Sequence, residues 1–349
     1  MKKRRYKVPV VALCLLLAVS CVSYASEFSR VGSVGAQFLK IGMGARYIGL
    51  GEASTAVVND AYSMFWNPAG MAQMERTEFA FTNVNWIEDV QLNYVSFAKP
   101  MGFGGTFGLS MTVLDVGDME ETTVWEPNGT GDTFNASSFA LAAGYAHNLT
   151  DRFALGLNIK YVSEQISEVS SKGFALDFGT QYETGIRNLR MGLNISNLGP
   201  ELKFSGPDLN FKYLRDDSGN SDDPVNSDNS NYDPVNASYA TEGYDFPLTF
   251  RLGVAYDFMR EENSVWTVAA EAKHPNDNVQ QVSFGTEYSW NQTVALRAGY
   301  KFRYEEEGLT LGGGVHLNPT PGTGLVIDYA WSDFGRLQSV HRFSFGIRF

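Results

Sequence analysis

Apolar and polar side chains alternate one by one along fourteen segments of this chain, and this period of two constrains the fold more than any other feature. In the C-terminal segment, for example, every second residue is apolar: Phe343, Phe345, Ile347 and Phe349. A period of two is typical of β-strands whose two faces meet different surroundings. The predicted strands span residues 77–86, 90–99, 103–114, 135–147, 152–164, 170–183, 188–198, 247–258, 264–273, 279–290, 293–303, 308–318, 323–333 and 338–349.

Three features favour a barrel in a membrane over a soluble β-sandwich. The strands have about 10–13 residues, the length that a tilted strand needs to cross a bilayer. Short turns follow the even-numbered strands, whereas the long connections 115–134 and 199–246 follow strands three and seven. Aromatic residues near strand ends resemble the girdles at the two membrane interfaces. These are Trp86, Tyr161, Tyr182, Tyr256, Trp290, Tyr304 and Trp331.

Closure of the sheet follows from the cost of a free edge. In lipid, an open sheet would expose unpaired N–H and C=O groups, each costing several kcal/mol. An antiparallel sheet with an even number of strands can close on itself and remove both edges. We therefore predict an all-β fold, a 14-stranded antiparallel up-and-down transmembrane β-barrel over residues 76–349. Because outer-membrane barrels have short periplasmic turns, the turn pattern predicts a bacterial outer-membrane protein with both termini in the periplasm.

Residues 1–25 have the pattern of a secretory signal peptide. Five basic residues precede an apolar stretch that is too short to span a bilayer comfortably. The small residues Ser23 and Ala25 stand at the −3 and −1 positions of the predicted cleavage site, which follows Ala25. Lipidation at Cys21 is the alternative, although Ala18 stands where a lipoprotein signal prefers Leu. Cleavage after Ala25 removes both cysteines, so the mature chain has no thiol or disulfide chemistry.

The charge of the chain excludes nucleic acid as a partner. The formal net charge is −12, and loss of the signal peptide would remove five further basic residues. Binding to phosphates needs a basic face, which such a chain does not offer. Acidic residues concentrate in the two long connections, including a run at 216–223. Their oxygens could bind Ca²⁺, but the EF-hand spacing is absent, and we favour a solvated surface loop in 200–246.

Catalytic and cofactor motifs are missing from the sequence. The four histidines are scattered among strands and turns, and neither a G-x-S-x-G elbow nor an H-E-x-x-H helix occurs. His316, which the alternation turns into the lumen, could take part in an outer-membrane hydrolase, and this is the minor alternative. We predict no enzyme activity, no cofactor and no metal site.

Residues 26–75 do not alternate and are rich in glycine and aromatic residues. Glycine allows tight turns close to a barrel wall, so we predict that this segment folds as a plug, or hatch, inside the barrel. Asn59 or Asp60 is expected to cap a short helix that the Asn-Pro pair ends. The residues of the predicted hatch motif are Asp60, Ser63, Trp66, Asn67 and Pro68.

The run from Gly44 to Met71, which ends in Trp66-Asn67-Pro68-Ala69-Gly70, resembles the N-terminal hatch of FadL-type long-chain fatty-acid channels. It is more similar still to the PorV/PorQ family of outer-membrane proteins. The similarity continues at residues 196–200, 247–254, 295–301 and 328–335. It implies a fourteen-stranded barrel with an N-terminal plug, in agreement with the strand count. The long acidic connection 200–246 departs from the family pattern.

The resemblance implies two functions. PorV-like proteins bind cargo by its C-terminal signal domain in type IX secretion and carry it to surface attachment. The partners would then be secreted cargo domains and a secretion translocon, with connections 115–134 and 199–246 as the docking surface. FadL-like channels instead admit a hydrophobic small molecule past a moving hatch. We prefer the first function, because the sequence is closer to PorV/PorQ.

The polar faces of the strands carry charges that the alternation turns into the lumen. They are Lys160, Asp177, Arg190, Arg251, Asp257, Arg297, Lys301, Arg303, Asp328, Arg342 and Arg348. One interpretation is that these charges form a polar conduit or a binding site for a ligand carboxylate. The other, which we favour, is that they form salt bridges that hold the plug in place. Either way they need partners when buried.

The last strand resembles the C-terminal signal of outer-membrane barrels. Apolar residues alternate up to the final aromatic residue, through Phe345, Ile347 and Phe349. The resemblance implies recognition by the barrel-assembly machinery and insertion into outer-membrane lipid.

Overall fold

The computed structural model describes residues 30–186, 188–213, 235–261, 263–320 and 322–349. Its barrel strands are β1 Glu78–Asn85, β2 Gln91–Pro100, β3 Thr106–Glu120, β4 Thr133–Thr150, β5 Phe153–Ile166, β6 Val169–Glu183, β7 Leu189–Leu198, β8 Thr249–Glu261, β9 Ser264–Pro275, β10 Gln281–Trp290, β11 Val294–Phe302, β12 Leu309–Thr320, β13 Thr323–Asp333 and β14 Ser339–Arg348. Each strand pairs antiparallel with its neighbours along the chain, and β14 pairs with β1 to close the barrel. The predicted fold is confirmed. The predicted signal peptide lies outside the described residues.

The two faces of the wall differ as the alternation predicts. On β14, Phe343 is 60% exposed on the outer face, whereas its neighbour Arg342 is 1% exposed on the inner face. Phe345 pairs with Phe81 of β1 and Ile327 of β13, so the apolar face continues across strands. An apolar outer face and a polar inner face are what a barrel in lipid requires.

The first long connection is shorter than predicted. Strand β3 runs to Glu120 instead of ending near residue 114, and it pairs there with Thr133 of β4. A bulge between Asp115 and Asp118 takes up the extra residues, so the ladder continues past the point where the alternation breaks. The connection is therefore 121–132, at the tip of a ribbon that includes much of the predicted loop 115–134.

The second long connection contains short strands that the sequence did not predict. Asn210–Tyr213 pairs with Val235–Ser238, and Leu202–Lys203 pairs with Gly243–Tyr244. The acidic run 216–223, where Ca²⁺ binding was considered, lies outside the described residues.

The plug enters and leaves the lumen at opposite mouths of the barrel. We call the mouth with connections 121–132 and 199–248 the loop end, and the other mouth the turn end. At the loop end, Gly35 donates its backbone N–H to the Asp245 carbonyl (3.0 Å), whereas Phe349 bonds to Thr77 at the turn end. Strand parity fixes where β1 begins but not the route of the residues before it. Gly35 of the plug lies at the loop end, whereas Phe349 lies at the turn end. Which mouth faces the periplasm stays a prediction.

The plug consists of short helices joined by turns. They are a 3₁₀-helix Gln37–Lys40, α1 Ala45–Gly49, α2 Ser63–Trp66 and a 3₁₀-helix Pro68–Gln73. Within the described part of the chain, every helix is too short or too polar to span a membrane. The main buried cluster joins plug residues such as Tyr47, Trp66 and Met71 to Leu92 and Tyr94 of the wall. The core of the molecule is therefore the contact between plug and barrel.

Candidate binding site: the plug and the two mouths of the barrel

Glycines of the wall let the plug backbone touch the strands. A Cβ atom at Gly285 of β10 would lie 2.1 Å from the Leu50 carbonyl oxygen, and one at Gly156 of β5 would lie 2.3 Å from the Pro68 carbonyl carbon. Both distances are too short for any side chain. Plug backbone approaches Gly192 and Gly299 in the same way, whereas at Gly179 the close group is the Asn67 side chain. The alternation marked these positions as inward-facing, but only the structure shows that the plug occupies the space.

Asn67 and Pro68, in the predicted hatch motif, fasten the middle of the plug. The Asn67 side-chain amide donates to the carbonyl oxygens of Thr55 (2.8 Å) and Thr180 (3.0 Å), which joins two plug segments to β6. Its Oδ1 accepts the backbone N–H of Ala69 (3.2 Å) and so caps the 3₁₀-helix that Pro68 begins. An apolar residue at position 67 would remove both links to β6 and the Thr55 turn and would leave the Ala69 N–H without its acceptor.

Trp66, Asp60 and Ser63, the other residues of the motif, are also buried. The Trp66 indole N–H donates to the Met43 carbonyl oxygen (2.7 Å), and Asp60 accepts the Tyr47 hydroxyl (2.6 Å). Asp60 also accepts the backbone N–H of Tyr62 just before α2. Ser63 begins α2, but its hydroxyl has no hydrogen-bond partner among the described residues. The motif thus forms the inside of the plug rather than an open site.

A chain of four charged groups links the plug to three strands. Arg46 of the plug forms a bidentate pair with Glu287 of β10 (2.8 and 3.0 Å). Glu287 also accepts Arg297 of β11 (2.6 Å), which in turn reaches Asp328 of β13 (2.6 Å). All four side chains are largely buried. Removal of any one member would leave an uncompensated buried charge.

A second charged cluster lies nearer the loop end. Glu52 of the plug accepts Lys301 of β11 (2.6 Å) and lies 4.0 Å from Lys273 of β9. Burial by itself would raise the pKa of Glu52, but the two lysines outweigh it and hold that pKa below its ordinary value. Lys301 also pairs with Glu307.

Glu271 of β9 binds the plug through its backbone. Its Oε2 accepts the N–H groups of Ser54 (2.9 Å) and Thr55 (2.8 Å), and its Oε1 accepts Arg251 of β8 (2.9 Å). The Arg251 guanidinium lies 4.9 Å from the centre of the Trp66 ring, a cation–π contact. One carboxylate therefore ties two strands to the turn at the centre of the plug.

The plug divides the lumen into two cavities. The turn-end cavity has a volume of about 1080 Å³ and is lined by arginines and acidic residues, with Arg46 and Glu287 at its inner boundary. The loop-end cavity has about 780 Å³ and lies between the first plug residues, the β1–β2 connection, β9 and β14. Among the residues that the structure describes, none lines both cavities. Each mouth thus offers its own binding space.

The family described as type IX secretion system protein PorV matches residues 24–215, more than half of the chain. The chain belongs to the PorV family. It is accordingly an outer-membrane β-barrel of the type IX secretion system. No curated protein matches the chain.

The solved structures that this PorV-family chain resembles include two toluene transporters and a FadL homologue. The P. putida toluene transporter TodX has a TM-score of 0.57 at 11% identity, covering 88% of this chain and 97% of that chain. The Ralstonia pickettii toluene transporter TbuX has 0.53 at 12%, and a Pseudomonas aeruginosa FadL homologue has 0.53 at 15%, each covering 88% of this chain and 98% of that one. At such identities the likeness shows a shared fold.

The predicted lumen charges of this PorV-family barrel lie inside, most of them in pairs. Lys160 pairs with Asp177 (2.8 Å), Arg190 with Asp257 (2.7 Å) and Arg348 with Glu78 (3.0 Å). Arg251, Arg297, Lys301 and Asp328 belong to the clusters described above. Arg303 is exposed and has a left-handed backbone (φ 63°). Its predicted inward position is wrong, because β11 ends at Phe302 and the alternation no longer applies.

The sequence analysis missed the carboxylates that hold the plug. Glu271 and Glu287 share the inward face of their strands with residues that the alternation did identify, so the same signal could have found them. Arg46 and Glu52 belong to the plug, where no periodicity indicates direction. Trp86 and Tyr304, expected at the lipid interface, instead line the loop-end cavity, because both lie beyond the ends of their strands.

The predicted insertion signal lies at the seam of the barrel. Phe345 and Phe349 are exposed on the outer face and Ile347 is half-buried there. Phe349 and Thr77 exchange two backbone hydrogen bonds (2.9 and 3.1 Å), which extends the β1–β14 ladder to the last residue. Within the described residues, no group of three or more His, Cys, Asp or Glu side chains could hold a metal ion.

Proposed function

We propose that this PorV-family barrel is a carrier that binds exported proteins at its loop end and delivers them for surface attachment, with the loop end facing the cell exterior. The single observation that carries the proposal is the filled lumen. Plug backbone touches the wall at several glycines. Buried ion pairs of Arg46 and Glu52, and hydrogen bonds from the Ser54–Thr55 turn to Glu271, join the plug to three strands. Conduction would require all of these contacts to open, whereas binding at a mouth requires none.

The tip of the β3–β4 ribbon supplies a docking surface. A tight turn, in which Glu126 donates its N–H to the Thr123 hydroxyl (3.0 Å), presents Val124 and Trp125, each 91% exposed. The connection around them is acidic, with Glu121 and Asp132 but no basic residue. Exposed aromatic residues are typical anchors of protein interfaces. The tip therefore suits a partner with an apolar pocket and a basic rim.

Co-purification of the full chain from solubilised outer membrane tests the carrier function. We expect mass spectrometry to identify secreted proteins that share a C-terminal signal domain, and Trp125→Ser to reduce their recovery about tenfold. Leu149→Ser is the matched control, because Leu149 is also an exposed apolar residue (58%) but lies near the end of β4, at the other mouth. Recovery of no exported protein, or equal losses with both variants, would count against the carrier.

A channel for hydrophobic molecules is the second candidate, favoured by one observation. The loop-end cavity has apolar walls that include Phe38, Ile41, Trp86 and Phe334, as a site for a hydrophobic ligand requires. Uptake of toluene or a fatty acid into liposomes containing the purified barrel would support this function. The carrier function instead predicts uptake no faster than into empty liposomes.

The final strand is proposed as the signal for the barrel-assembly machinery. Deletion of Phe349 would remove an exposed aromatic group and both hydrogen bonds with Thr77 at the seam. We expect several-fold less heat-modifiable, assembled barrel in the outer membrane, as seen on a gel. Phe343→Leu, on the same face but within the strand, serves as the control. Equal levels of assembled protein in all three chains would contradict the insertion signal.

A further inference from the structure

Arg342 of β14 is a buried cation without a carboxylate partner. Its side chain is 1% exposed, yet it forms no ion pair with any described carboxylate. One guanidinium nitrogen donates to the Ser332 hydroxyl (3.2 Å), Nε has no hydrogen-bond partner among the described residues, and the guanidinium lies 5.4 Å from the Trp86 ring centre. Burial of a guanidinium on such weak contacts is costly. The group lines the loop-end cavity, so a ligand could supply the missing anion.

The charges around Arg342 leave one positive charge uncompensated. Glu271 pairs with Arg251, and Glu52 and Glu307 both pair with Lys301. Lys273 approaches Glu52 only to 4.0 Å and otherwise faces the Tyr304 ring. These groups comprise the cations Arg251, Lys273, Lys301 and Arg342 and the carboxylates Glu52, Glu271 and Glu307. One carboxylate bound at Arg342 would balance the cluster.

The cavity in front of Arg342 has apolar walls beside its charged groups and is of ligand size. Its volume of about 780 Å³ falls within the range of about 300–1,000 Å³ typical of small-ligand sites. Trp86 and Phe334 stack edge to face, with ring centres 5.3 Å apart, and the guanidinium lies 5.4 Å from the Trp86 ring centre. Phe38 and Ile41 of the plug also line the cavity. A carboxylate joined to an apolar group matches this arrangement.

The rim of the cavity distinguishes two sources of such a carboxylate. Glu164 and Glu305 line the cavity and form no ion pair with any described residue. A ligand with a positively charged group would therefore bind more tightly, because that group could pair with one of these carboxylates. A polypeptide that ends in an apolar residue, with a basic residue shortly before it, offers both charges and the apolar group. A fatty acid offers only the carboxylate and the chain.

We infer that the loop-end cavity binds the C-terminal carboxylate of an exported polypeptide, with Arg342 as the carboxylate ligand and the terminal side chain against Trp86 and Phe334. The identity of the ligand rests on the proposed carrier function. Capture of a free chain end is an established mode of peptide recognition. Here it would give the carrier a contact that only a completed chain can make.

Calorimetric titration of the full-length protein in a non-ionic detergent tests this inference. The probes are one N-acetylated tetrapeptide, with Lys at its second position and Leu at its end, as the free acid and as the C-terminal amide, and decanoate. We expect the acid to bind at least about tenfold more tightly than the amide, because an arginine–carboxylate bond is lost with the amide. Decanoate should bind more weakly than the acid.

Two variants localise the effect. Arg342→Gln should bring the ratio of acid to amide affinity close to one, whereas Arg336→Gln, at an 89% exposed arginine side chain of the same mouth, should leave it unchanged. Equal binding of acid and amide to the unaltered protein would overturn the site, whatever the variants do. Tighter binding of decanoate would overturn the polypeptide as ligand. These outcomes are separate from co-purification, since a carrier could fail to bind the tetrapeptide and still recover exported proteins through the Trp125 tip.

Discussion

The middle of the barrel and its loop-end mouth are built from similar residues but packed differently. In the middle, the plug backbone approaches Gly156, Gly192 and Gly285 so closely that no Cβ atom would fit. At the mouth, the same plug stands away from the wall and leaves a cavity of about 780 Å³. One chain therefore has a sealed partition and, directly beside it, an open binding space.

The charges of the two regions show the same difference. In the middle, Glu287 joins Arg46 to Arg297, and every buried arginine of that group has a carboxylate within 2.8 Å. At the mouth, the equally buried Arg342 has only the Ser332 hydroxyl and an aromatic ring. Buried charges that are paired with each other have a structural role, whereas an unpaired buried charge beside a cavity indicates a ligand-binding site.

The largest effect is expected where plug and wall touch. Gly285→Val would place a Cβ atom 2.1 Å from the Leu50 carbonyl oxygen, which belongs to the plug backbone and cannot turn aside. We expect the plug to be displaced from the lumen and the amount of assembled barrel to fall to a small fraction of its normal level. Heat-modifiable mobility and protease resistance of residues 37–75 measure this effect.

Gly313→Val is the matched control, because a Cβ atom at Gly313 of β12 meets only the Ala295 carbonyl oxygen, at 3.9 Å. Both variants add the same side chain to a barrel strand. Normal assembly and an intact plug in Gly285→Val would show that the partition is not sealed by backbone contact, and the contrast between middle and mouth would fail.

A smaller loss is expected when one charge is removed from the middle. Glu287→Gln keeps the shape of the side chain but leaves Arg46 and Arg297 without their shared carboxylate. Breaking a buried pair of this kind costs about 3–5 kcal/mol. A lower midpoint of urea unfolding in detergent would report the loss.

Glu306→Gln provides the comparison for that experiment. Glu306 pairs with Arg336, whose side chain is 89% exposed at the loop end, and exposed pairs contribute little to stability. The two variants should therefore differ clearly in their unfolding midpoints. Similar midpoints would mean that the buried charges of the middle do not hold the plug.

The fold was predictable because one physical rule acts along the whole wall. Lipid outside and a polar plug inside impose an alternation on every strand, so that even β2, where Tyr94 and Val95 interrupt the pattern, was placed correctly. The rule fails where the surroundings change. Strand β3 continues to Glu120, past the point where its residues alternate between apolar and polar. A bulge between Asp115 and Asp118 shifts the register there.

The site was less predictable, because it depends on which groups meet in space. Alternation indicated that Arg297 and Arg342 point inward, but it could not distinguish the paired arginine from the unpaired one. That difference depends on the plug, whose Arg46 and Glu52 follow no period. Glu52 even has a left-handed backbone (φ 67°) in the turn that brings it to Lys301, and sequence periodicity carries no signal for such a turn.

The smallest effect concerns the contact that holds the plug beside the open mouth. Asp277, between β9 and β10, accepts Lys40 (2.7 Å) and Gln37 (3.1 Å) of the plug. Burial tends to raise the pKa of Asp277, but the hydrogen bonds from Lys40 and Gln37 outweigh it and lower that pKa below its ordinary 3.8. The contact therefore stabilises the plug fully above about pH 4, and the stabilisation is lost as the pH falls through the lowered pKa.

A spin label at Val31→Cys would follow this contact, since Val31 is 61% exposed at the start of the described plug. At neutral pH, Asp277→Asn should weaken the seating of residues 37–40 by about 1 kcal/mol, the scale of a partly exposed ion pair, and so increase the label mobility. In acid, the unaltered protein should approach the mobility of the variant, because both then lack the charge. A difference that persists below the lowered pKa would show that the ion pair does not hold this end, and that the mouth is as firmly packed as the middle.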